Sequence, residues 1–147
     1  MFYGTYEHNV DKKGRITIPA SFREEIPDVV FVSKGFDGNL LGMPEDGVQA
    51  VVENLRTLSI TDPDGRDFAR DFFGTTAKLT YDSAGRILIP PTLRKIVGIE
   101  EEVVIIGSGS NFEIWAKDKL EQFRANSNPE AKAKAWQGIK VPLIRGN

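Results

Sequence analysis

The chain has 147 residues, of which 40% are hydrophobic and 27% are charged, as in an ordinary globular protein, and this excludes disordered and fibrous proteins. Lys and Arg number 19 against 21 Asp and Glu, so the formal net charge is -2 and the whole molecule is not a basic polyanion binder. Any surface for nucleic acid must therefore be local.

The first elements predicted along the chain are a strand, a tight turn and a second strand. Thr5–Val10 is predicted to be a strand that runs into the turn, and the alternating apolar residues of 16–18 continue as the second strand. Asp11 can accept backbone hydrogen bonds in such a turn, and Gly14 supplies a positive φ, so we predict a hairpin. Pro19 then stops the second strand and suits the first turn of a short helix.

Continuous apolar runs and helical periodicity predict the next elements. Two buried strands follow, and then a helix whose apolar face is spaced at i, i+3, i+4, i+7 and i+10. A polar, Pro- and Gly-containing segment is expected to break this helix before a second one, which Gly74 ends. In chain order these are the strands 29–34 and 39–43, the face Val48, Val51, Val52, Leu55 and Leu58, the break 61–65, and the helix 66–73.

An internal repeat sets the order of the second half. Residues 10–23 align without a gap on residues 81–94, an offset of 71, and Asp, Gly, Arg, Ile, Ile, Pro and Arg are identical in both copies. Asp82 and Gly85 thus occupy the turn positions of Asp11 and Gly14. The second half is predicted to contain the strands 77–81, 87–89, 102–106 and 112–116, the helices 118–125 and 129–137 with Asn128 as N-cap, and a mildly apolar, basic tail, 139–147, that either docks on a neighbour or frays.

The two halves are expected to share one core. Each has about 70 residues, a size at which a separate hydrophobic core is marginal. We therefore assign the chain to the α+β class, with two pseudo-symmetric halves and peripheral helices. The predicted division is 1–60 for the first half with its connecting helix, 61–76 for a linking helix, 77–124 for the second half, and 125–147 for a C-terminal extension.

The repeated motif carries a resemblance to a known family. The chain resembles the MraZ family of bacterial transcription regulators in the runs 11–23 and 82–94, and in the opening Met-Phe-Tyr-Gly-Thr-Tyr-Glu-His of residues 1–8, close to the family's M-F-x-G-x-Y-x-H. Residues 35–38 and 113–115 add to the match, which covers about residues 1 to 124. The resemblance implies two AbrB-like swapped-hairpin β-barrel halves in tandem.

The resemblance also implies a function. The family's D-x-x-G-R loops face double-stranded DNA, its members form ring-shaped homo-oligomers, and they bind short direct repeats upstream of the division and cell-wall gene cluster. We therefore expect a sequence-specific, nucleoid-associated transcriptional regulator. The second loop departs from the family pattern because Ser83 and Ala84 replace its basic residues, so the two loops are not expected to contribute equally.

The candidate site residues lie in these two loops. We interpret Asp11, Gly14, Asp82 and Gly85 as loop-shaping residues rather than ligand contacts. Each Arg after the turn glycine either pairs with a nearby carboxylate or projects outward, and the resemblance implies contact with DNA. Lys12 and Lys13 complete a local group of cations with the first Arg. The predicted DNA-binding residues are Lys12, Lys13, Arg15 and Arg86.

The repeat contains a second pair of arginines, for which we predict a structural role. Arg23 and Arg94 follow the Pro of each repeat, and we expect each to form an ion pair with Glu24, Glu25 or a carboxylate of the other half. We assign Phe72, Phe73, Trp115 and Leu120 to the core or to a subunit interface.

Other classes of function were weighed against DNA binding. The same scaffold could serve as a protein-assembly module that binds no DNA. An enzyme using Asp11 and Asp82 as paired carboxylates is disfavoured, since the repeat gives no reason for them to converge and the chain has no nucleophile paired with His. His8 is the only His and the chain has no Cys, so we expect no metal, cofactor or disulfide. With no apolar run of the roughly 18 residues that a membrane span requires, we expect a cytoplasmic protein.

Overall fold

The computed structural model describes residues 1–139, and residues 140–147 of the expected docking or fraying tail lie outside the described residues. These residues contain eight strands, which come in consecutive pairs, and six helices between and after the pairs. The strands are β1 Thr5–Asn9, β2 Arg15–Thr17, β3 Val29–Lys34, β4 Leu40–Met43, β5 Ala77–Thr80, β6 Arg86–Leu88, β7 Glu102–Gly107 and β8 Phe112–Ala116. The helices are α1 Ala20–Glu25, α2 Glu45–Leu55, α3 Pro63–Thr75, α4 Pro91–Val97, α5 Lys117–Ala125 and α6 Pro129–Trp136.

The strands form one large sheet and one small ribbon. Six of them pair in the order β1-β7-β8-β4-β3-β5, and β2 pairs with β6 alone. Every pair is antiparallel. The α+β class is therefore correct, but within residues 1–139 the sheet does not close, so the expected pair of β-barrels is not what the structure contains.

Each half places its first strand beside a strand of the other half. Strand β1 pairs with β7, with Tyr6 opposite Ile105, and β5 pairs with β3, with Leu79 opposite Val30. The predicted hairpin between β1 and β2 is therefore wrong in its pairing. The chain turns at residues 11–15 as expected, but β1 then remains in the sheet while β2 leaves it to pair with β6. The turn residues fix a local bend, whereas burial in the shared core decides which strands pair.

One core joins the two halves. Its centre is aromatic, with Phe22 of α1 packed edge-on against Phe2 and at a tilt against Phe112 of β8, ring centroids 5.2 Å apart in both pairs. Ile16 and Ile87 lie opposite each other in the β2-β6 ribbon, and both are fully buried. Truncating either to Ala would cost about 2–5 kcal/mol, because a cavity would open where the halves meet. This agrees with the expectation that the halves complete each other's core.

Helices α2 and α3 cover the opposite face of the sheet, where Leu41, Met43 and Phe72 form a second apolar cluster. The break between these helices was expected to cover residues 61–65, but it ends earlier. Helix α3 begins at Pro63, because the Asp62 side chain accepts hydrogen bonds from the first-turn backbone N–H groups, and it continues through Gly74 to Thr75. The side chain of Leu58, expected on the buried face of α2, is 44% exposed.

The third cluster lies under α5. Trp115 and Val104 of the sheet pack against Leu120 of this helix, and all three are buried. Phe72, Trp115 and Leu120 are thus core residues as predicted, and Phe73 is half-buried. None of the helices in residues 1–139 has the length and apolarity to cross a membrane.

Candidate nucleic-acid interface

The two D-x-x-G-R loops have the same internal geometry. In the first, Asp11 Oδ1 accepts the backbone N–H groups of Lys13 and Arg15, both at 2.9 Å. In the second, Asp82 Oδ1 accepts those of Ala84 and Arg86, also at 2.9 Å. The aspartate of each loop therefore replaces the backbone acceptors that a regular strand would provide.

The turn glycines allow this geometry. Gly14 has φ +89° and Gly85 has φ +75°, a region in which a side chain is strained. Each glycine N–H donates to the carbonyl of the loop aspartate at 3.0 Å, which closes the turn. The loops are thus held by their aspartate and their backbone, and the side chains of Lys12 and Lys13 at the tip of the first loop are exposed.

The β2-β6 ribbon brings the two loops side by side. Ile18 N donates to the carbonyl of Gly85 at 3.1 Å, and Ile89 N donates to that of Gly14 at 3.2 Å. These bonds tie the strand of each repeat to the loop of the other. The two loops, 71 residues apart in the chain, therefore form one surface.

Four charged side chains meet on this surface, and we call them the loop cluster: Asp11, Arg15, Asp82 and Arg86. Within each loop, Nε of the arginine donates to Oδ2 of the aspartate, at 2.6 Å for Arg15 and 2.8 Å for Arg86. Across the loops, Arg15 Nη1 lies 3.8 Å from Asp82 Oδ2, and Arg86 Nη1 lies 3.5 Å from Asp11 Oδ2. The expectation that the two aspartates would not converge is therefore wrong.

The aspartates of the loop cluster are held in their ionised form. The pKa of Asp11 is lowered to about 2, mainly by the hydrogen bond from the Arg15 backbone N–H. Partial burial opposes this shift, and the Arg15 guanidinium and the Lys13 backbone N–H add to it. The backbone N–H of Arg86 is the main cause of the lowered pKa of Asp82. A general acid needs a pKa near the working pH, so this carboxylate pair is unsuited to acid catalysis at neutral pH.

The two arginines of the cluster are partly exposed. The Arg15 side chain is 29% exposed and that of Arg86 is 32% exposed. Of the two arrangements left open by the sequence, the structure thus has the arginines paired with carboxylates. Only Nε and Nη1 of each guanidinium face these carboxylates, and a guanidinium has five N–H donors.

The cationic rim of the surface comes from the first loop. Lys12 and Lys13 are both exposed at its tip, and Ser83 and Ala84 occupy the same exposed positions of the second loop. Because the charges of the loop cluster cancel, these lysines supply the excess positive charge of the two loops. The electrostatic surface is therefore unequal although the backbone is repeated.

Arg23 and Arg94 lie against the loops in a crossed arrangement. Arg94 Nε donates to the Ile89 carbonyl at 3.0 Å, and its guanidinium packs on Gly14 of the first loop. Arg23 follows the same pattern, donating to Ile18 at 3.0 Å and packing on Gly85 of the second loop. Each arginine thus supports the loop of the other repeat.

The structural role expected for Arg23 and Arg94 is therefore correct, but their expected ion pairs are wrong. Within residues 1–139 neither forms a salt bridge with a carboxylate, and each uses a backbone carbonyl instead. The identical arginine at the same repeat position was the available signal, but sequence spacing could not show that each crosses to the opposite loop.

The remaining polar groups near the core do not form a second site. His8 lies half-buried on β1, and its Nε2 has no hydrogen-bond partner among the described residues. Burial raises the pKa of the Tyr81 hydroxyl to about 12, so it stays protonated at neutral pH. The described part of the chain contains no group of three or more His, Cys, Asp or Glu residues that could hold a metal ion.

Comparison with known proteins gives one family. The family described as "MraZ protein, putative antitoxin-like" matches residues 1–71 and again residues 72–138. A protein of Syntrophomonas wolfei named "Transcriptional regulator MraZ" is 43% identical over 127 residues, which are 86% of this chain and 89% of the relative. Proteins of the same name from Acetivibrio thermocellus and Heliobacterium modesticaldum are 41% and 37% identical, covering 90% and 97% of this chain and 93% and 100% of the relatives.

Proposed function

Because the chain belongs to the MraZ family, we propose that it is a transcriptional regulator that binds double-stranded DNA through its two D-x-x-G-R loops. The observation that carries the proposal is the junction of these loops into one surface with Lys12 and Lys13 at its rim. Relatives named as transcriptional regulators support the regulatory role.

The lysines and the arginines of this surface make two different kinds of contact with DNA in this proposal. Lys12 and Lys13 neutralise phosphates, which supplies affinity that depends on salt. Arg15 and Arg86 present their outward N–H groups to a phosphate or a base edge, and the aspartates of the loop cluster hold their guanidinium planes in place. Pairing with the aspartates fixes the orientation of each arginine before DNA arrives, so less side-chain entropy is lost on binding.

Direct repeats are the DNA arrangement that this surface fits. The first loop carries two exposed lysines and the second carries none, so one protomer contacts DNA in a defined direction. Protomers related by rotation in a ring would present this direction head to tail, in contrast to a two-fold dimer on a palindrome. Several modest contacts along repeated sites would then add through avidity.

We propose that these repeats lie upstream of the division and cell-wall gene cluster and that the protein works at the nucleoid. The unit that binds one DNA repeat contains both halves, 1–60 and 77–124, together with the linking segment 61–76.

The test is footprinting on the upstream region of the protein's own operon, with the Lys12→Ala/Lys13→Ala variant beside the wild type. The wild type should protect short repeats in direct orientation, and the variant should lose this protection at the same concentration. An equal footprint for both proteins would contradict the assignment of the loops. Replacing Arg15 is a less clean test, since its loss leaves Asp11 without its main side-chain partner and removes the second arginine contact of Asp82.

The competing function is an assembly module without DNA binding. It predicts that promoter fragments never shift at any salt concentration and that the loop variants change only partner binding. The local excess of positive charge on an otherwise acidic chain favours the DNA-binding function.

A further inference from the structure

Helix α6 is exposed along its whole length. All residues of Pro129–Trp136 are exposed, and the Trp136 side chain is 62% exposed. An isolated helix shorter than about 12 residues is marginal in water. Tryptophan is also among the residues that most often anchor protein interfaces. The helix therefore has the features of a segment that binds another surface.

Helix α3 contributes to a second exposed surface, which contains aromatic and acidic side chains. Phe36, in the turn between β3 and β4, is 70% exposed and stacks on Phe68 of α3, with ring centroids 6.1 Å apart and planes 12° apart. Phe68 stacks in the same way on Phe72, at 5.6 Å and 10°. Three parallel rings thus lead from the buried cluster to an aromatic face in water.

Carboxylates surround this aromatic face. Asp64, Asp67 and Asp71 of α3 line a shallow groove of about 260 Å³ beside it, together with Lys34. Lys34 Nζ lies 3.1 Å from Asp71 Oδ1, and within residues 1–139 Asp64 and Asp67 have no salt bridge. We call this surface the acidic groove: Lys34, Phe36, Asp64, Asp67, Phe68 and Asp71.

Helix α6 is complementary to the acidic groove in charge and in aromatic character. Lys132 and Trp136 are four residues apart, so they lie on the same face of the helix, whereas Lys134 lies two positions from each on another face and adds to the overall positive charge of the helix. The groove offers an aromatic face for the indole and, within residues 1–139, two carboxylates without a salt bridge for the Lys132 ammonium group.

We propose that α6 of one copy docks in the acidic groove of a second copy of this chain, with Trp136 on Phe36 and Lys132 beside Asp64 and Asp67. This inference rests on the homo-oligomer assumed in the proposed function and names its contact. In the structure α6 does not lie in the acidic groove of its own chain. There α6 follows α5, which packs on β7 and β8, whereas α3 packs on β3, and α6 remains exposed.

The geometry of the contact has a consequence for assembly. It joins two different surfaces of identical chains, so it is a head-to-tail contact, which closes into a ring or continues as a filament. The loops and α6 do not share residues. One protomer can therefore bind DNA and its neighbours at the same time.

The test uses two charge-reversed variants of the full chain. The first carries Lys132→Glu and Lys134→Glu, and the second carries Asp64→Lys and Asp67→Lys. Each alone should assemble about tenfold or more weakly than the wild type in native mass spectrometry and sedimentation, because like charges meet in the contact. Mixed in equal amounts, the two variants should regain the wild-type mass by alternating around the assembly. At one kind of contact a reversed helix then meets a reversed groove, and at the other kind a native helix meets a native groove.

A matched control and a spectroscopic reading accompany the mixing. Lys78→Glu/Lys95→Glu makes the same change in net charge on exposed positions outside both surfaces and should leave the mass unchanged. The chain has only two tryptophans, and Trp115 is buried, so quenching by iodide reports on Trp136. Quenching should fall as the wild-type concentration rises and should stay constant for either reversed variant.

Three results would overturn the inference. One is a monomeric wild type at all concentrations, another is wild-type assembly by either reversed variant alone, and the third is failure of the mixture to assemble while each variant remains folded by circular dichroism. A failure of the proposed function can be distinguished from a failure of this inference, since both variants keep Lys12, Lys13 and the loop cluster. If docking is correct and DNA binding is not, assembly follows the variants while no DNA repeat is bound.

Discussion

Arg15 of the first loop reaches across to Asp82 of the second, with Nη1 3.8 Å from Oδ2, while its Nε donates to Asp11 of its own loop at 2.6 Å. One guanidinium thus touches the turn carboxylates of both repeats. Arg86 makes the reciprocal contacts. The four side chains make the two loops a single structural unit.

The lysines of the first loop should set the salt dependence of DNA binding. Each phosphate neutralised contributes a slope of about -0.9 to log affinity against log salt. The Lys12→Ala/Lys13→Ala variant should therefore lose about 1.8 from the magnitude of the slope per protomer, measured by fluorescence anisotropy over a range of salt concentrations. Lys78→Ala/Lys95→Ala is the control, and an equal change in both variants would show that the effect is one of net charge alone.

The second loop should gain affinity when it is given the cations of the first. Ser83 and Ala84 are exposed at the positions equivalent to Lys12 and Lys13. In the Ser83→Lys/Ala84→Lys variant the slope should steepen by about 1.8 per protomer if both loops reach phosphates. A steeper slope with unchanged preference for direct repeats would place both loops on DNA, whereas an unchanged slope would mean that only the first loop makes contact.

Acid should weaken the protein through Asp11. The pKa of this carboxyl is about 2 in the folded state, below its ordinary value of 3.8, because the Arg15 backbone and guanidinium favour the charged form. The unfolded chain therefore binds more protons between these values, and the stabilisation is complete above the ordinary pKa and is lost as pH falls through the folded one.

Urea unfolding of the wild type and Asp11→Asn from neutral pH down to about pH 2 measures this effect. The difference in unfolding free energy should be constant above about pH 5 and should shrink at lower pH. Glu24→Gln is the control, since this glutamate is exposed and has no salt bridge in the described residues. A difference that did not vary with pH would show that Asp11 acts without its charge.

The support that Arg94 gives the first loop should appear in the cost of adding a methyl group at Gly14. The positive φ of this residue costs Ala about 1–2 kcal/mol. The new Cβ would also collide with the Arg94 guanidinium, and losing its bond to Ile89 costs about 0.5–1.5 kcal/mol. We expect Gly14→Ala to lower the unfolding free energy by about 1.5–3.5 kcal/mol in urea denaturation.

Gly38→Ala is the matched control for this prediction. Gly38 has φ +91°, and nothing lies within 4 Å of a Cβ built there, so only the backbone cost of about 1–2 kcal/mol applies. Adding Arg94→Ala to Gly14→Ala should cost less than the sum of the single changes, because the collision is then removed. Strict additivity would show that Arg94 does not press on this loop.

Local features of the chain could be predicted because they depend on near neighbours in sequence. The alternation of Ile16 and Ile18, and the helix cap at Asn128, appear in the structure where the sequence indicates them. The C-terminal end of α3 could not be predicted from neighbouring residues. Gly74 favours a helix end by propensity, but packing of Phe72 and Phe73 on the sheet continues the helix past it.

By itself the sequence determined the repeat, the α+β class, the turn chemistry and the uneven charge of the two loops, since each follows from residue type, spacing and periodicity. Only the tertiary structure decided that β2 pairs with β6 and that Arg15 therefore meets Asp82. The same holds for the crossing of Arg94 to Gly14. These contacts join residues far apart in the chain, and a strand of given pattern can pair with any partner that buries the same face. The choice among partners comes from the free energy of the whole shared core, which no local pattern contains.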